Sequence, residues 1–450
     1  MAVGATSLIA GLIFVLTVAG ILFRPFGWHE AWFGGAGAAL MLATGAVRAD
    51  GVLAVLEQTA PVLLFLVGVL MVAAVAERAG VFTWAALKAA RLAGASPRRL
   101  FVASYLLGAL VTTFFSLDTT AVVLAPVVLR IVQQAGANPL PFVYLSVYVA
   151  NVTSLLLPVS NLTNLLVQAQ YGLQFWEFAR IMSLPALLSA GANLALLYAV
   201  FHRQLAGRLD VQGLQLQVRA LSRSPFLRWS VLISAATILG FGVAGWLQAP
   251  LWPVALAGGT AMAGMALVRR EVRPQFFRRA VAWAVIPFVV GLFIVIQGVQ
   301  ATGVGGQLMA AALSPRAAAL PAIEPGAPGE RPPAPALEGF GDLAALAATS
   351  AVGSNVVNNI PMTLLAMANL PPAEATAPSP WGRLAPYALL LGVNIGPTLT
   401  VVGSLATILT LTLVRQRGVN VSGWHYLRMG LIMMPPTLTA ALLGLAASAR

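Results

Sequence analysis

Asn151-Val-Thr-Ser-Leu-Leu-Leu-Pro-Val-Ser160-Asn161-Leu162-Thr163-Asn164-Leu165-Leu166 decides the fold of this chain, because it returns in kind as Asn394-Ile-Gly-Pro-Thr-Leu-Thr-Val-Val-Gly403-Ser404-Leu405-Ala406-Thr407-Ile-Leu409. Aligning Asn151 with Asn394 sets Ser160 on Gly403, Asn161 on Ser404 and Asn164 on Thr407. Each copy is an apolar stretch interrupted by Gly or Pro, with small polar residues at the break. Paired interrupted segments in the two halves of a membrane chain are the sequence mark of a transporter's binding site.

The surrounding composition asks for lipid as solvent. Of 450 residues, 59% are hydrophobic and 9% charged, with a mean hydropathy of +0.87; a water-soluble core does not have that balance. The first apolar run, Val3 to Phe23, lacks a basic start and a small-residue cleavage pattern, and reads as a retained membrane helix. Cysteine is absent, which excludes disulfides, thiolate metal sites and thiol redox chemistry. The net charge of +13 does not signal nucleic acid, since no basic motif is interleaved with aromatics. Instead, the loops Glu77–Arg99, Arg203–Arg228, Arg269–Arg279 and Arg415–Arg428 hold 18 of the 26 lysines and arginines. That clustering assigns their side to the cytoplasm of a multi-pass inner-membrane protein.

At roughly 20 apolar residues per span, the candidates are 4–23, 31–48, 52–76, 141–169, 178–202, 229–248, 251–268, 280–300, 384–414 and 428–448. The stretches 100–134 and 341–370 are broken near their middles and read as re-entrant hairpins, which survive at membrane depth only inside protein or a wet cavity. The expected fold class is therefore an all-α polytopic membrane protein. It is an inverted repeat of two halves, with about 10 transmembrane helices, two re-entrant hairpins and two broken helices. Residues 1–203 form the first repeat, with hairpin 100–134 and broken helix 141–169. Residues 204–228 are a basic cytoplasmic linker, and 229–450 the second repeat, with hairpin 341–370 and broken helix 384–414. The Pro/Ala-rich stretch 301–339 is an external loop. Of the flanking charges, Arg24 agrees with this sidedness and Arg48 does not.

The chemistry concentrates at the breaks. The first hairpin tip reads Ser116-Leu117-Asp118-Thr119-Thr120. A carboxylate there costs about 2.5–3.5 kcal/mol on insertion scales and needs a partner, a cavity or a proton. Ser116 or Asp118 also suits the N-cap of the run opening at Thr119. The second tip carries Ser354, Asn355, Asn358 and Asn359 ahead of Pro361, with Asn359 the expected cap. Asn151, Ser160, Asn161, Asn394, Thr398, Gly403 and Ser404 complete a neutral, oxygen-rich set of substrate-binding candidates together with Ser116, Thr119 and Thr120. Thr163 and Thr407 read as packing residues, because hydroxyls are common glue between membrane helices. Glu57 reads as structural near the start of the third span. His29, His202 and His425 lack metal-ligand spacing. No Walker motif, cofactor fingerprint or nucleophile–base set is present, so neither an enzyme nor a cofactor or metal is expected.

Pro158-Val-Ser-Asn161-Leu-Thr-Asn164, Asn358-Asn359-Ile-Pro361, Gly403-Ser404-Leu-Ala-Thr407 and Gly423-Trp-His-Tyr-Leu-Arg428 together resemble the arsenite efflux permeases, the arsenical pump membrane proteins of the ion transporter superfamily. Dicarboxylate carriers differ, their paired tips reading Ser-Asn-Thr. The resemblance implies proton-coupled efflux of arsenite or antimonite by an elevator-type motion, with Asp118 as proton carrier. It also implies a chain working alone or with a cytosolic arsenite-stimulated ATPase, and leaves a homodimer open. Two departures stand out: Leu117 replaces the family's Asn beside Asp118, and Asn394 and Thr398 stand where an Asp and a Lys are common. The alternatives are an organic-acid or anion carrier, or a sodium/proton antiporter, of the same superfamily. A subunit that merely anchors a cytosolic partner fits poorly, since the polar residues sit at mid-span and the cytoplasmic loops are short.

Overall fold

A computed structural model describes residues 2–210, 221–301, 339–370 and 380–448. The expected external loop 301–339 and the middle of the expected linker 204–228 lie largely outside them. Three helices open the chain: α1 (Ala2–Phe23), α2 (Glu30–Ala43) and α3 (Ala49–Arg78). After α4 (Val81–Ala93), a hairpin follows, of arms α5 (Pro97–Phe114) and α6 (Leu117–Gln134). The first broken helix is α7 (Leu140–Val152) and α8 (Leu162–Tyr171), and α9 (Phe175–Phe201) closes the half. The second half repeats the order of spans, α10 (Pro225–Trp246), α11 (Trp252–Val268) and α13 (Val285–Ala301), but its short extra helix α12 (Gln275–Ala280) precedes the third span, where α4 follows it in the first half. Its hairpin is α14 (Phe340–Val357) and α15 (Asn359–Asn369), its broken helix α16 (Ala385–Ile395) and α17 (Leu405–Arg415), and its last span α18 (Gly423–Ala447). Each half thus crosses the membrane an odd number of times, so the second starts on the opposite side from the first.

Packing repeats the relation. The third span of one half lies on the second span of the other, α3 on α11 and α13 on α2, while α9 pairs with α18. A two-fold axis between the halves produces this exchange of partners. Glycines make both crossings close. A Cβ on Gly259 would fall 2.8 Å from the Gly68 carbonyl, and one on Gly291 would fall 2.5 Å from the Gly34 carbonyl carbon. Small residues let membrane helices approach to backbone contact, where dispersion replaces the hydrophobic effect.

Four expectations are corrected. Glu77–Arg99 is mostly helix rather than loop: α4 buries Phe82, Ala86, Leu87, Ala90 and Ala93 on one face and turns Lys88 outward, 4.0 Å from the Trp84 ring centre. Its basic residues belong to the polar face of an amphipathic helix. Within the expected loop Arg269–Arg279, the chain forms α12. At the end of the expected linker, α10 already starts at Pro225, capped by Ser224 accepting from Leu227 N at 3.3 Å. The expected span 31–48 stops at Ala43, where the Thr44 hydroxyl takes the Leu40 carbonyl at 2.8 Å and Gly45 turns the chain at φ +71°. Arg24 pairs with Glu30 at 2.9 Å, Arg48 sits near Asp50, and Glu57 is exposed on α3.

Candidate functional site

The two breaks are built alike. Pro158–Ser160 and Val401–Gly403 each make one 3-10 turn, and each leads to an extended cap residue, Asn161 at φ −151° and ψ 144° or Ser404 at φ −144° and ψ 140°. The residues aligned by sequence, Asn161 and Ser404, thus occupy the same backbone state. Asn161 Oδ1 accepts from Thr163 N at 3.3 Å, an N-cap, whereas Ser404 makes no side-chain cap.

Between the breaks, the side chains cross from half to half. Asn151 Nδ2 donates to Thr407 Oγ1 at 3.3 Å, and Asn394 Nδ2 donates to Asn164 Oδ1 at 2.7 Å. Asn151 aligns with Asn394 and Asn164 with Thr407, so these two bonds are mates about the two-fold axis. The copies are unequal beyond that. Asn394 Oδ1 also accepts from Asn161 Nδ2 at 2.7 Å and Thr163 Oγ1 at 2.8 Å. Asn164 Nδ2 reaches back to the Ser154 and Leu157 carbonyls at 2.7 and 3.0 Å and to Ser160 Oγ at 3.3 Å. Asn151 is 2% exposed and Asn394 1%. A buried amide left unmatched costs about 1–3 kcal/mol, so a network this complete holds its geometry rigidly.

The hairpin tips reverse through residues that are not glycine at positive φ, Ser116 at 151° and Asn358 at 76°. Non-glycine residues rarely sit there, and such strain gathers at functional sites. Ser116 Oγ caps α6, accepting from Thr119 N at 3.3 Å, and the Thr112 and Thr120 hydroxyls tie the arms at 2.8 Å. At the second tip the cap is Asn358 rather than Asn359, which begins α15; Asn359 precedes Pro361 and is itself already helical. Asn358 Nδ2 donates to the Val402 carbonyl at 3.1 Å, and its Oδ1 is buried without a partner. Asn355 staples the tip to the break: it donates to the Gly396 carbonyl at 2.8 Å and accepts from Thr400 N and Oγ1 at 3.0 and 2.7 Å. A Cβ on Gly403 would fall 2.7 Å from Asn355 Oδ1, so glycine is what lets that staple close.

Four half-helices therefore begin inside the protein, at Ser116, Asn161, Asn358 and Ser404, of which Ser116 and Asn161 cap with their side chains, and helix N-termini favour anionic or electron-rich oxygen. Asp118 is exposed in the first turn of α6 and makes no hydrogen bond or ion pair among the described residues. Its neighbours Leu117 and Ala121 pack on Ala150 and Ala406, the residues adjoining Asn151 and Thr407. Aligning the caps Ser116 and Asn358 sets Leu117 on Asn359 and Asp118 on Ile360. The tips thus differ in both polarity and charge.

Of the sequence-derived candidates, Asn151, Ser160, Asn161 and Asn394 meet at the crossing, and Asn355, Asn358 and Gly403 meet at the second tip. Ser116, Thr119 and Thr120 meet at the first. Ser354 and Thr398 spend their hydroxyls on their own helices, on the Ala351 and Ile395 carbonyls at 2.8 and 2.7 Å. Thr163 and Thr407, read from sequence as packing, and Asn164, not singled out, sit at the centre of the network. The register that aligned Asn164 with Thr407 was the signal for them. Across the far side of α6, Arg417 bonds the Pro126 carbonyl; burial, then the nearby Arg130 charge, holds this guanidinium below its ordinary range.

The citrate transporter (CitMHS) family matches residues 13–393 of the chain. Arsenical pump membrane proteins of Yersinia enterocolitica and Escherichia coli K12 are each 27% identical over 448 residues, covering 98% of this chain and 98% of each relative. An uncharacterized transporter of Mycobacterium tuberculosis is 28% identical over 398 residues, covering 84% of each chain. Among solved structures, the YdaH transporter of Alcanivorax borkumensis, whose topology is described as unusual, superposes with a TM-score of 0.53 at 16% identity. It covers 90% of this chain and 89% of its own, and at that identity the likeness speaks for the fold alone.

Proposed function

We propose that this chain, which belongs to the citrate transporter family and is a multi-pass membrane transporter, exports arsenite or antimonite in exchange for protons. The observation that carries the reading is the crossed pair Asn151–Thr407 and Asn394–Asn164 among four half-helix N-termini. Among the described residues it sets a frame of amides and hydroxyls, with no ion pair in it, beside one carboxylate. Arsenite at neutral pH is a small neutral triol, which such a frame suits through hydrogen bonds alone. The naming of the 27%-identical relatives as arsenical pumps supports the same substrate.

Asp118 would carry the proton. An ionised carboxylate at membrane depth costs about 2.5–3.5 kcal/mol on insertion scales, and protonation removes most of that. The hairpin-bearing core then moves readily with Asp118 neutral and reluctantly with it charged, which ties proton flow to substrate flow. The substrate would bind at the tips, where Ser116, Thr119, Asn358 and Asn359 stand at helix N-termini, with the crossed network as a fixed floor. A cytosolic ATPase and a homodimer fit this reading without being required by it.

A second reading has its own support. Four converging N-termini favour a net anion over a neutral solute, and the family is described by citrate. Proteoliposomes with an imposed pH gradient separate the two. Arsenite transport that excess citrate leaves unchanged is the expected result; citrate uptake with no arsenite transport would overturn the leading reading. Arsenite resistance restored to a strain lacking its own pump gives the same answer in cells.

A further inference from the structure

A groove of about 460 Å³ opens on the protein surface where the end of α4, the start of α5 and the last turns of α9 meet. α5 supplies Arg98 and Arg99 in its first turn, then Val102, Ala103 and Leu106 along its length, while α4 gives Leu92 and α9 gives Tyr198. Both arginines are exposed, and neither guanidinium makes an ion pair or hydrogen bond among the described residues. Cations at a helix start oppose its dipole, so α5 itself gains nothing from the pair. Charged at one end and apolar along the rest, the groove has the make-up of an amphiphile's site.

The position in the membrane suits the same ligand. The clustering of basic residues puts this end of α4, α5 and α9 in the cytoplasmic leaflet, the one that carries anionic lipid. Amphipathic α4 belongs to that interface, with the Lys88 ammonium over the Trp84 ring and Leu92 one turn later. In the last turn of α9, Tyr198 sets an amphipathic ring at headgroup depth. Along α5, Arg98, Val102, Leu106 and Leu110 keep one face at four-residue spacing, and Leu106 and Leu110 are 55% and 57% exposed. At about 1.5 Å per residue this stripe is about 18 Å long, close to the roughly 15 Å of apolar depth in one leaflet. Charge at the corner is one-sided. Residues 79–106 hold Lys88, Arg91, Arg98 and Arg99 and no acid. The loop after α9 is joined to the α4–α5 turn by Leu209 N–H on the Ala95 carbonyl at 3.0 Å, and adds Arg203 and Arg208 against Asp210.

We propose that this groove binds one anionic phospholipid of the cytoplasmic leaflet, its phosphate held by Arg98 and Arg99 and one acyl chain laid along Val102, Leu106 and Leu110. Planar guanidinium groups suit a phosphate through paired N–H donors. The occupant is a lipid rather than a free phosphate, because the charge ends where an apolar slot one leaflet deep begins, and a small anion would leave that slot empty. A second copy of the chain fits worse, since a two-fold contact would set this cationic corner against its own like. The site is independent of what the chain transports.

Native mass spectrometry of the full chain, released from nanodiscs of equal phosphatidylglycerol and phosphatidylcholine, reads the retained lipid. The wild type should keep phosphatidylglycerol in preference to phosphatidylcholine. Arg98→Gln with Arg99→Gln should weaken that retention about thirtyfold, at about fivefold for each arginine near the surface. Arg278→Gln with Arg279→Gln removes the same charge from α12, where both arginines are exposed, and should leave retention unchanged. Ala103→Trp fills the slot with both arginines in place and should also release the lipid. Equal losses from the α5 and α12 pairs would reduce the attraction to diffuse charge and overturn the proposal. Wild-type retention in the α5 pair or in Ala103→Trp would overturn it too. Displacement of the lipid by inorganic phosphate would mark a free-anion site, and a lipid-free dimer that the α5 pair splits would give the face to a second copy; either result overturns the proposal.

Discussion

Where each hairpin meets its own broken helix, the two halves solve one packing problem in opposite ways. In the first half the small residue is on the hairpin: a Cβ on Gly108 would fall 2.7 Å from Val149 Cγ1. In the second it is on the broken helix: Gly392 faces the Ala347 carbonyl, and a Cβ there would also fall 2.6 Å from Ser350 Cβ. Gly108 aligns with Ser350 and Val149 with Gly392. The crossing is conserved in space while its glycine has changed sides, and the second half gains the closer, backbone-limited contact. The polar network is lopsided too, with Asn394 gathering three inter-segment bonds to the single one of Asn151. A two-fold frame therefore carries unequal contents, tight and neutral in the second half, looser and acidic in the first.

The largest expected effect tests the tips. Asp118→Asn should lower proton-driven transport about a hundredfold, whereas Ile360→Thr at the aligned position of the other tip should leave it near normal. Equal losses from both would mean that the tips act alike and that the carboxylate has no special part. Counterflow measured beside gradient-driven uptake separates loss of coupling from loss of binding.

Next comes the network. Asn394→Ala deletes three bonds and takes the Asn394 partner from Asn161 Nδ2, Thr163 Oγ1 and Asn164 Oδ1 in a buried network, for about 3 kcal/mol, since each orphan costs about 1–3 kcal/mol and neighbours are not additive. Asn151→Ala removes one longer inter-segment bond, to Thr407, and one to the Val147 carbonyl of its own helix, and should lose about 1 kcal/mol. Thermal unfolding of the purified variants in one detergent gives the order; a reversed order would break the asymmetry drawn above.

Those same residues show how far the sequence could be read. The spans, hairpins and breaks were legible because lipid imposes length and apolarity, and because the Asn151 and Asn394 segments share a register that the backbone then honours at Asn161 and Ser404. α4 is hidden in the sequence because Lys88 and Arg91 give it the charge of a cytoplasmic loop, while Phe82, Ala86 and Ala90 make only a short apolar stripe. Thr163 and Thr407 read as packing because a lone threonine in a membrane helix usually is. What promotes them is a partner more than 200 residues away, as Thr163 and Thr407 reach Asn394 and Asn151 across 231 and 256 positions.

The glycine exchange yields the next difference. Gly392→Ala drives a methyl into the Ala347 backbone, which cannot rotate away, and overpacking of that kind costs about 1–3 kcal/mol. Gly108→Ala meets Val149, a side chain with room to shift its rotamer, and should fall at or below the low end of that range. Unfolding midpoints are the measure again, and equal losses would show that both crossings are limited by backbone.

The smallest effect isolates a bond that only one half needs. Residues 120–124 of α6 form a π turn in which Ala125 N–H bonds the Thr120 carbonyl. Pro126 has no N–H, so the Ala121 carbonyl is left without a donor from its own helix. Thr410 of α17, from the other half of the molecule, brings its hydroxyl to 3.2 Å, sharing its one proton between that carbonyl and its own helix's Ala406 carbonyl at 2.8 Å. The aligned positions in the mirror arrangement are Ala368, which is not a proline, and Val167, which has no hydroxyl, so the second hairpin neither creates the orphan carbonyl nor needs the donor. Thr410→Val should therefore destabilise by about 1 kcal/mol, Thr410→Ser should restore most of it, and Val167→Thr should do nothing. Loss on Thr410→Val that Pro126→Ala then abolishes, by returning an N–H to α6, would tie the threonine to the proline; a loss indifferent to residue 126 would reduce Thr410 to a packing residue.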